Sequence, residues 1–118
     1  MLNINKLKRS FTHAFRGLGV VFKEEQNFKI HSLAAILAII LALVLRVGYL
    51  EAAILVFAIV LVFCLEVINT IFENMIDVLK PSYHIMVGRI KDLMSASVLI
   101  ASIGAIIVGI IIFLPHLV

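Results

Sequence analysis

The sequence predicts an all-α integral membrane protein, with an amphipathic N-terminal surface helix followed by three transmembrane helices. Hydrophobic residues make up 64% of the 118 positions and charged residues only 14%. Soluble domains contain roughly 45–50% apolar residues and about 25% charged residues. The excess lies in long apolar blocks, and a bilayer-spanning helix needs about 20 such residues. The length allows a single domain over residues 1–118, and we expect so small a bundle to oligomerise.

The first predicted element is an amphipathic helix over residues 2–23. Its apolar residues recur at helical spacing and form one face, which comprises Ile4, Leu7, Phe11, Phe15, Leu18 and Phe22. The basic residues lie mostly outside this face. This combination is typical of a helix that lies in the plane of the membrane interface. Simple anchoring to anionic headgroups explains the pattern equally well. The polar residues 24–27 then interrupt the pattern where the chain enters the membrane.

Three spanning segments are predicted at residues 30–45, 52–79 and 93–114. The first is short, and its flanking residues Lys29 and Arg46 extend it if their side chains snorkel to the interface. At 1.5 Å per residue the second is roughly 40 Å long, so it crosses the hydrocarbon core and projects beyond it.

Proline residues set the expected ends of the second and third segments. Pro81 is expected to stop the second, with Ser82, Tyr83 and His84 opening a short loop. Pro115 is expected to end the third and to leave His116 as a solvated terminus.

The distribution of cations predicts the orientation. Six lysine and arginine residues precede the first span, three lie between the second and third spans, and only Arg46 lies between the first and second. By the positive-inside rule the amino terminus and the second loop are cytoplasmic. The polar end of the second span therefore faces the cytoplasm, where ATP is available. We expect a multi-pass membrane protein whose amino terminus and polar site face the cytoplasm, with no nucleic-acid partner.

A polar stripe on the second span is the main candidate for a functional site. Glu66, Asn69, Glu73 and Asp77 are spaced i, i+3, i+7 and i+11, so they share one face of a helix. A charged residue near the centre of a membrane helix costs roughly 2.5–3.5 kcal/mol by insertion scales. Several acids on one face therefore require a cation or a metal as partner.

The residue types around this stripe fit phosphoryl transfer from a nucleotide to a lipid hydroxyl. Glu25, Glu73 and Asp77 are expected at one interfacial level, together with cations such as Arg16 and Lys91. Carboxylate oxygens and water suit Mg²⁺ with substrate phosphates, and a deeper carboxylate could take the proton of an alcohol held in the bilayer. The sequence contains neither GxxxxGK[ST] nor GxGxxG. Acids paired with cations in a structural bundle, and a proton-coupled transporter, remain alternatives.

The combined motifs closely resemble those of the prokaryotic integral-membrane diacylglycerol kinase family over nearly the whole chain. The central motif is Glu66-x-x-Asn69-Thr70-x-x-Glu73-x-x-x-Asp77, followed by His84, Gly88-Arg89 and Lys91-Asp92-x-x-Ser95-Ala96. The amino-terminal part contributes Ala14-Phe15-Arg16-Gly17-Leu18 and Glu24-Glu25-x-Asn27-Phe28-Lys29-Ile30-His31. The Asn27-Phe28-Lys29-x-His31 version is similar to the Gram-positive branch, whose members phosphorylate undecaprenol rather than mainly diacylglycerol.

The resemblance implies a homotrimer in the bacterial cytoplasmic membrane and a set of site residues. Glu66 matches the catalytic base, and Glu25 and Glu73 match the Mg²⁺-binding acids. The positions that match nucleotide contacts or supporting groups are Lys6, His13, Asn69, Ser82, Tyr83, His84, Lys91 and Asp92. At the positions of Lys6 and His13 the family often has Arg and Tyr.

The implied activity is ATP-dependent phosphorylation of a membrane lipid alcohol, with undecaprenol expected and diacylglycerol as the alternative acceptor. For two residues, Asp77 and His31, the sequence itself suggests roles that the resemblance does not assign. Asp77 is expected to pair with Arg89 or Lys80, and His31 either hydrogen-bonds inside the bundle or touches substrate. A purely structural membrane subunit would tolerate apolar residues in the Glu66 stripe.

Overall fold

The chain folds into long helices joined by very short connections. The computed structural model describes residues 1–79 and 84–118, which form α1 (Ile4–Glu24), α2 (Gln26–Leu45), α3 (Tyr49–Leu79) and α4 (His84–Leu117). The last three are long and apolar enough to cross a membrane. The predicted all-helical fold with three apolar candidate spans is therefore confirmed.

A single non-helical residue, Glu25, separates α1 from α2. Its backbone is extended, with φ −107° and ψ 111°, and its N–H donates to the carbonyl of Val21 at 2.9 Å. At the other end of α1, the Asn3 side chain accepts hydrogen bonds from the N–H groups of Asn5 and Lys6 at 3.0 and 3.3 Å. The predicted polar interruption over residues 24–27 is thus reduced to one residue, because helix α2 resumes at Gln26.

The connection between α2 and α3 is a tight turn over residues 46–48. Arg46 adopts a left-handed conformation, with φ 53° and ψ 52°, which ends α2. The Gly48 N–H donates to Glu51 Oε1 at 3.1 Å, so the first turn of α3 is capped by its own acidic side chain. Helix α3 consequently begins three residues before the predicted span.

Helix α4 extends beyond the predicted third span at both ends. It begins at His84, so residues 89–92 lie within a helix. At the other end it continues through Pro115 to Leu117, so the expectation that Pro115 ends the helix was wrong. In the last turn a proline removes only one backbone donor, and the helix tolerates the loss there. His116 is not a free terminus either, because its Nε2 lies 3.4 Å from both carboxylate oxygens of Glu51.

Packing of α3 against α4 and an aromatic cluster together position the polar residues. Phe28, which is buried, lies edge-on to Phe22 at 6.4 Å and packs against Phe63 at 5.1 Å between ring centroids. Phe28 is three residues after Glu25 and Phe63 is three residues before Glu66. This contact therefore fixes the α1–α2 corner beside the polar part of α3.

Candidate active site

The polar residues of α3 are buried within the single chain. Glu66 is 1% exposed, Thr70 3% and Asn69 8%, and these are the buried polar residues of the described chain. The spacing of 66, 69 and 73 places the three side chains on one helical face, as the sequence predicts. Glu73 lies about 10 Å along the helix axis from Glu66, since each residue advances 1.5 Å.

Hydrogen bonds organise this face of α3. Asn69 Nδ2 donates to Glu73 Oε1 at 3.3 Å, and the Thr70 hydroxyl donates to the Glu66 carbonyl at 3.0 Å. Asn69 Oδ1 is buried and has no hydrogen-bond partner among residues 1–79 and 84–118. Buried polar atoms are usually paired, so this oxygen is a free acceptor next to Glu73.

Glu25 joins the acids of α3 across the α1–α2 corner. Burial raises the pKa of the Glu25 carboxyl, the neighbouring Glu73 carboxylate raises it further, and Glu66 adds to the shift. A hydrogen bond involving Thr70 opposes this rise in pKa. Like charges that raise a pKa in this way lie close together. The carboxyl groups of Glu25 and Glu73 therefore lie close to each other, and they are the two residues that the resemblance matches to Mg²⁺-binding acids.

The donor set at this corner fits a divalent cation completed by other ligands. Within the part of the chain that the structure describes, no three His, Cys, Asp or Glu side chains converge into a complete metal site. Mg²⁺ does not require one, because it is usually held by one or two carboxylates, with waters and substrate phosphates filling the octahedron. Two carboxylates that repel each other at the corner would be stabilised by such an ion.

His31 contacts Glu66, a pairing that the sequence did not reveal. His31 Nδ1 of α2 lies 3.3 Å from Glu66 Oε1, and His31 Nε2 lies 3.5 Å from Ser102 Oγ of α4. One of the two interpretations from the sequence was that His31 hydrogen-bonds inside the bundle, but the sequence identified neither partner. These residues are 35 and 71 positions from His31, so no local pattern could connect them.

An apolar cavity of about 420 Å³ opens beside His31, between α2, α3 and α4. Small side chains leave this space, among them Ala34, Ala58 and Ala105. His31 and Ser102 supply the polar groups of its lining. The imidazole ring therefore borders a largely apolar space on one side and Glu66 on the other.

Lys91 pairs with Asp77, in place of the expected Arg89, whereas the other expected partner, Lys80, lies outside the described residues. The Lys91 ammonium is 3.5 Å from Asp77 Oδ1, and the two side chains are 38% and 61% exposed. Residues 77 and 91 meet because α4 begins at His84 and runs back along α3. An exposed ion pair of this length contributes at most about 1 kcal/mol, so Lys91 can exchange Asp77 for another anion.

The remaining sequence-predicted residues are placed less fully. Lys6 and His13 are exposed on α1, Asp92 is exposed on α4, and within the described residues their side chains form no hydrogen bond or ion pair. Ser82 and Tyr83 lie outside the described residues, and for His84 only the backbone position at the start of α4 is described.

Fold and site together define a small helical protein with three apolar candidate spans. Its acids Glu25, Glu66 and Glu73 are grouped where α3 passes the corner between α1 and α2. A sequence model described as prokaryotic diacylglycerol kinase matches residues 12–113. The chain belongs to this family and is therefore a membrane lipid kinase, a phosphotransferase. The transporter and the purely structural subunit are thereby excluded.

Relatives in three bacteria agree with this assignment. The chain is 31% identical to the undecaprenol kinase of Bacillus subtilis, over 97% of this chain and 93% of that protein. It is 33% identical to the diacylglycerol kinase of Escherichia coli K12, over 88% and 85% of the two chains. It is 35% identical to the diacylglycerol kinase of Synechocystis, over 92% of this chain and 62% of that longer protein.

Proposed function

We propose that the protein transfers the γ-phosphoryl group of ATP to the terminal hydroxyl of undecaprenol, giving undecaprenyl phosphate and ADP. The observation that carries this proposal is the buried Glu66, set deeper along α3 than the acidic pair Glu25 and Glu73. Match over almost the full length of the Bacillus subtilis undecaprenol kinase supports the acceptor. So does the Asn27-Phe28-Lys29-x-His31 sequence.

Glu66 is the proposed catalytic base. Its carboxylate takes the proton of the lipid hydroxyl as that oxygen forms a bond to the γ-phosphorus. The bond from the γ-phosphorus to the bridging oxygen breaks at the same time, and ADP leaves with the electron pair. In such a transfer the enzyme acts mainly by positioning the groups and stabilising charge, and a buried carboxylate is well suited to receive a proton from an alcohol.

Glu25 and Glu73 are the proposed Mg²⁺ ligands, with Asn69 holding Glu73 in orientation. When bound, the ion supplies positive charge that neutralises the triphosphate. Lys91 reaches the phosphates on leaving Asp77, and Asp92 lies one residue further along the same helix. The proposed nucleotide contacts are completed by Lys6, His13, Ser82, Tyr83 and His84.

We further propose that the enzyme works as a homotrimer in the cytoplasmic membrane, with α1 in the interface and the site facing the cytoplasm. The cation distribution supports this orientation. The apolar residues of α1 stay exposed in the single chain, with Phe11 and Phe15 at 57% and 68%, as for a helix resting on lipid. Much of the apolar surface of α2–α4 is likewise exposed, and it would face lipid or neighbouring subunits.

The test is phosphoryl transfer from γ-labelled ATP in mixed micelles, with undecaprenol and a diacylglycerol assayed separately, each with and without Mg²⁺. We expect Mg²⁺-dependent labelling that is faster with undecaprenol. Diacylglycerol is the second candidate, because relatives that carry this name are 33% and 35% identical to the chain. Faster labelling of diacylglycerol would replace the acceptor and keep the mechanism, and labelling of neither lipid by the folded oligomer would refute the proposal.

A further inference from the structure

We propose that His31 is a positioning residue for Glu66, and that Ser102 fixes the orientation of the imidazole ring. The inference rests on the proposed role of Glu66 as base and adds the residues that orient it. Three side chains from three helices form a continuous chain of contacts. Glu66 Oε1 lies 3.3 Å from His31 Nδ1, and His31 Nε2 lies 3.5 Å from Ser102 Oγ.

The Ser102 hydroxyl determines where the ring carries its proton. Ser102 Oγ donates its hydrogen to the Val98 carbonyl at 2.8 Å. A hydroxyl has one hydrogen, so Oγ can only accept from His31. The proton of a neutral ring therefore sits on Nε2, and Nδ1 presents a lone pair to Glu66, since the hydrogen bond at one nitrogen sets the state of the other.

A lone pair facing a carboxylate oxygen at 3.3 Å is unfavourable unless a proton lies between them. His31 Nδ1 and Glu66 Oε1 are both buried, and neither has a well-aligned hydrogen-bond partner among the residues that the structure describes. Such groups require a partner when water is excluded. The contact between Glu66 and His31 is therefore favourable only with one proton between Nδ1 and Oε1.

For the reaction, the contact with His31 determines which oxygen of the Glu66 carboxylate faces the substrate. The ring holds Oε1, so the other carboxylate oxygen is the one left to accept the proton of the lipid hydroxyl. Glu66 can act as the base only while the proton of this contact stays on Nδ1, because a carboxyl group that is already protonated cannot take another proton from the alcohol. The largely apolar cavity beside the ring leaves little polar competition, and hydrogen bonds in such surroundings are strengthened.

Two substitutions of His31 separate its two contacts. His31→Gln places an amide near the position of Nε2 and loses the group beside Glu66, whereas His31→Asn keeps an amide near the position of Nδ1. We expect His31→Gln to lower kcat by about 10–100-fold, the usual effect of losing an orienting partner. KM for ATP should stay within about twofold, and His31→Asn should recover part of the lost kcat.

Two serine substitutions on α4 give a matched control. Ser102→Ala and Ser97→Ala each remove a hydroxyl that donates to the carbonyl four residues earlier, at 2.8 and 3.1 Å. Only Ser102 touches the imidazole ring. We expect a several-fold lower kcat for Ser102→Ala and an unchanged kcat for Ser97→Ala, at similar melting temperatures in detergent.

The outcomes are distinct from those that test the proposed function. If the wild-type enzyme phosphorylates lipid and Glu66→Gln does not, but His31→Gln keeps the wild-type kcat, the positioning role is overturned alone. Equal kcat for the two serine variants also overturns it, as does an equal loss in both His31 variants that follows their melting temperatures. If the wild-type enzyme labels no lipid, the proposed function fails and this inference fails with it.

Discussion

Replacing Glu66 with glutamine should nearly abolish turnover while largely sparing nucleotide binding. Glutamine keeps the size of the side chain but cannot accept the proton of the lipid hydroxyl. General base catalysis contributes about 10²–10⁴-fold, so kcat should fall by this factor, which corresponds to about 2.7–5.4 kcal/mol in activation free energy. Because Glu66 lies about 10 Å along α3 from Glu73, the Kd for Mg·ATP should change less than about threefold.

The assay is initial-rate transfer from γ-labelled ATP in mixed micelles, with nucleotide affinity measured separately by calorimetry. Glu51→Gln is a matched control, because Glu51 lies on the same helix and also contacts a histidine, His116, but at the opposite end of α3. Its kcat should equal that of the wild type. Near-normal turnover by Glu66→Gln would refute the assignment of the base, and an equal loss in Glu51→Gln would point to general damage to the fold.

Three further predictions concern the acids and the cation around the nucleotide. Glu73→Gln should raise the Mg²⁺ concentration for half-maximal rate by at least about tenfold. Loss of a residue that supports a metal ligand lowers metal affinity or activity by about 10–100-fold, and loss of the ligand itself should lower it at least as much. An unchanged Mg²⁺ titration would show that Glu73 is not a metal ligand. Glu25→Gln should raise the melting temperature in EDTA at neutral pH. The folded pKa of Glu25 is raised by burial and by Glu73, so its ionisation destabilises the fold as pH rises through the interval between the unfolded and folded pKa. This gain in melting temperature should vanish below the pH range in which carboxyl groups ordinarily titrate. A gain that is independent of pH would show that the ionisation of Glu25 is not its cause. Lys91→Met should raise KM for ATP with less than about 1 kcal/mol change in stability, whereas Asp77→Asn should not raise KM; parallel increases would show that the ion pair itself is what matters.

Regular features of the chain were predictable because they depend on local sequence. Long apolar blocks indicated the three candidate spans, and the spacing of Glu66, Asn69 and Glu73 placed them on one face of α3. The expectation that Glu25 and Glu73 act together came from the family resemblance and not from local sequence. The helix ends were less predictable, because hydropathy marks where a span meets water and not where a helix stops. Helix α4 therefore begins nine residues before the predicted span and continues past Pro115.

Long-range partners could not be read from the sequence. Asp77 has three cations nearby in the chain, and the choice of Lys91 follows from the antiparallel path of α4 along α3. The partner of Glu66 comes from a different helix, and the serine that orients this partner comes from a third. Periodicity carries no information about such pairs, since it reports only which residues of one helix share a face.

If Glu66 is the base, as proposed, its burial also constrains how the lipid hydroxyl reaches it. At 1% exposure the carboxylate cannot touch an external oxygen in the arrangement observed, so either its side chain rotates or a neighbouring helix shifts during the cycle. His31 is the more exposed member of the pair, at 23%, and it borders the apolar cavity between α2, α3 and α4. A movement that preserves the contact between His31 and Glu66 keeps the carboxylate beside its polar partner. A movement that breaks this contact leaves the buried carboxylate unpaired, which costs about 3–5 kcal/mol of stability. The approach of substrate should therefore move the imidazole and the carboxylate together.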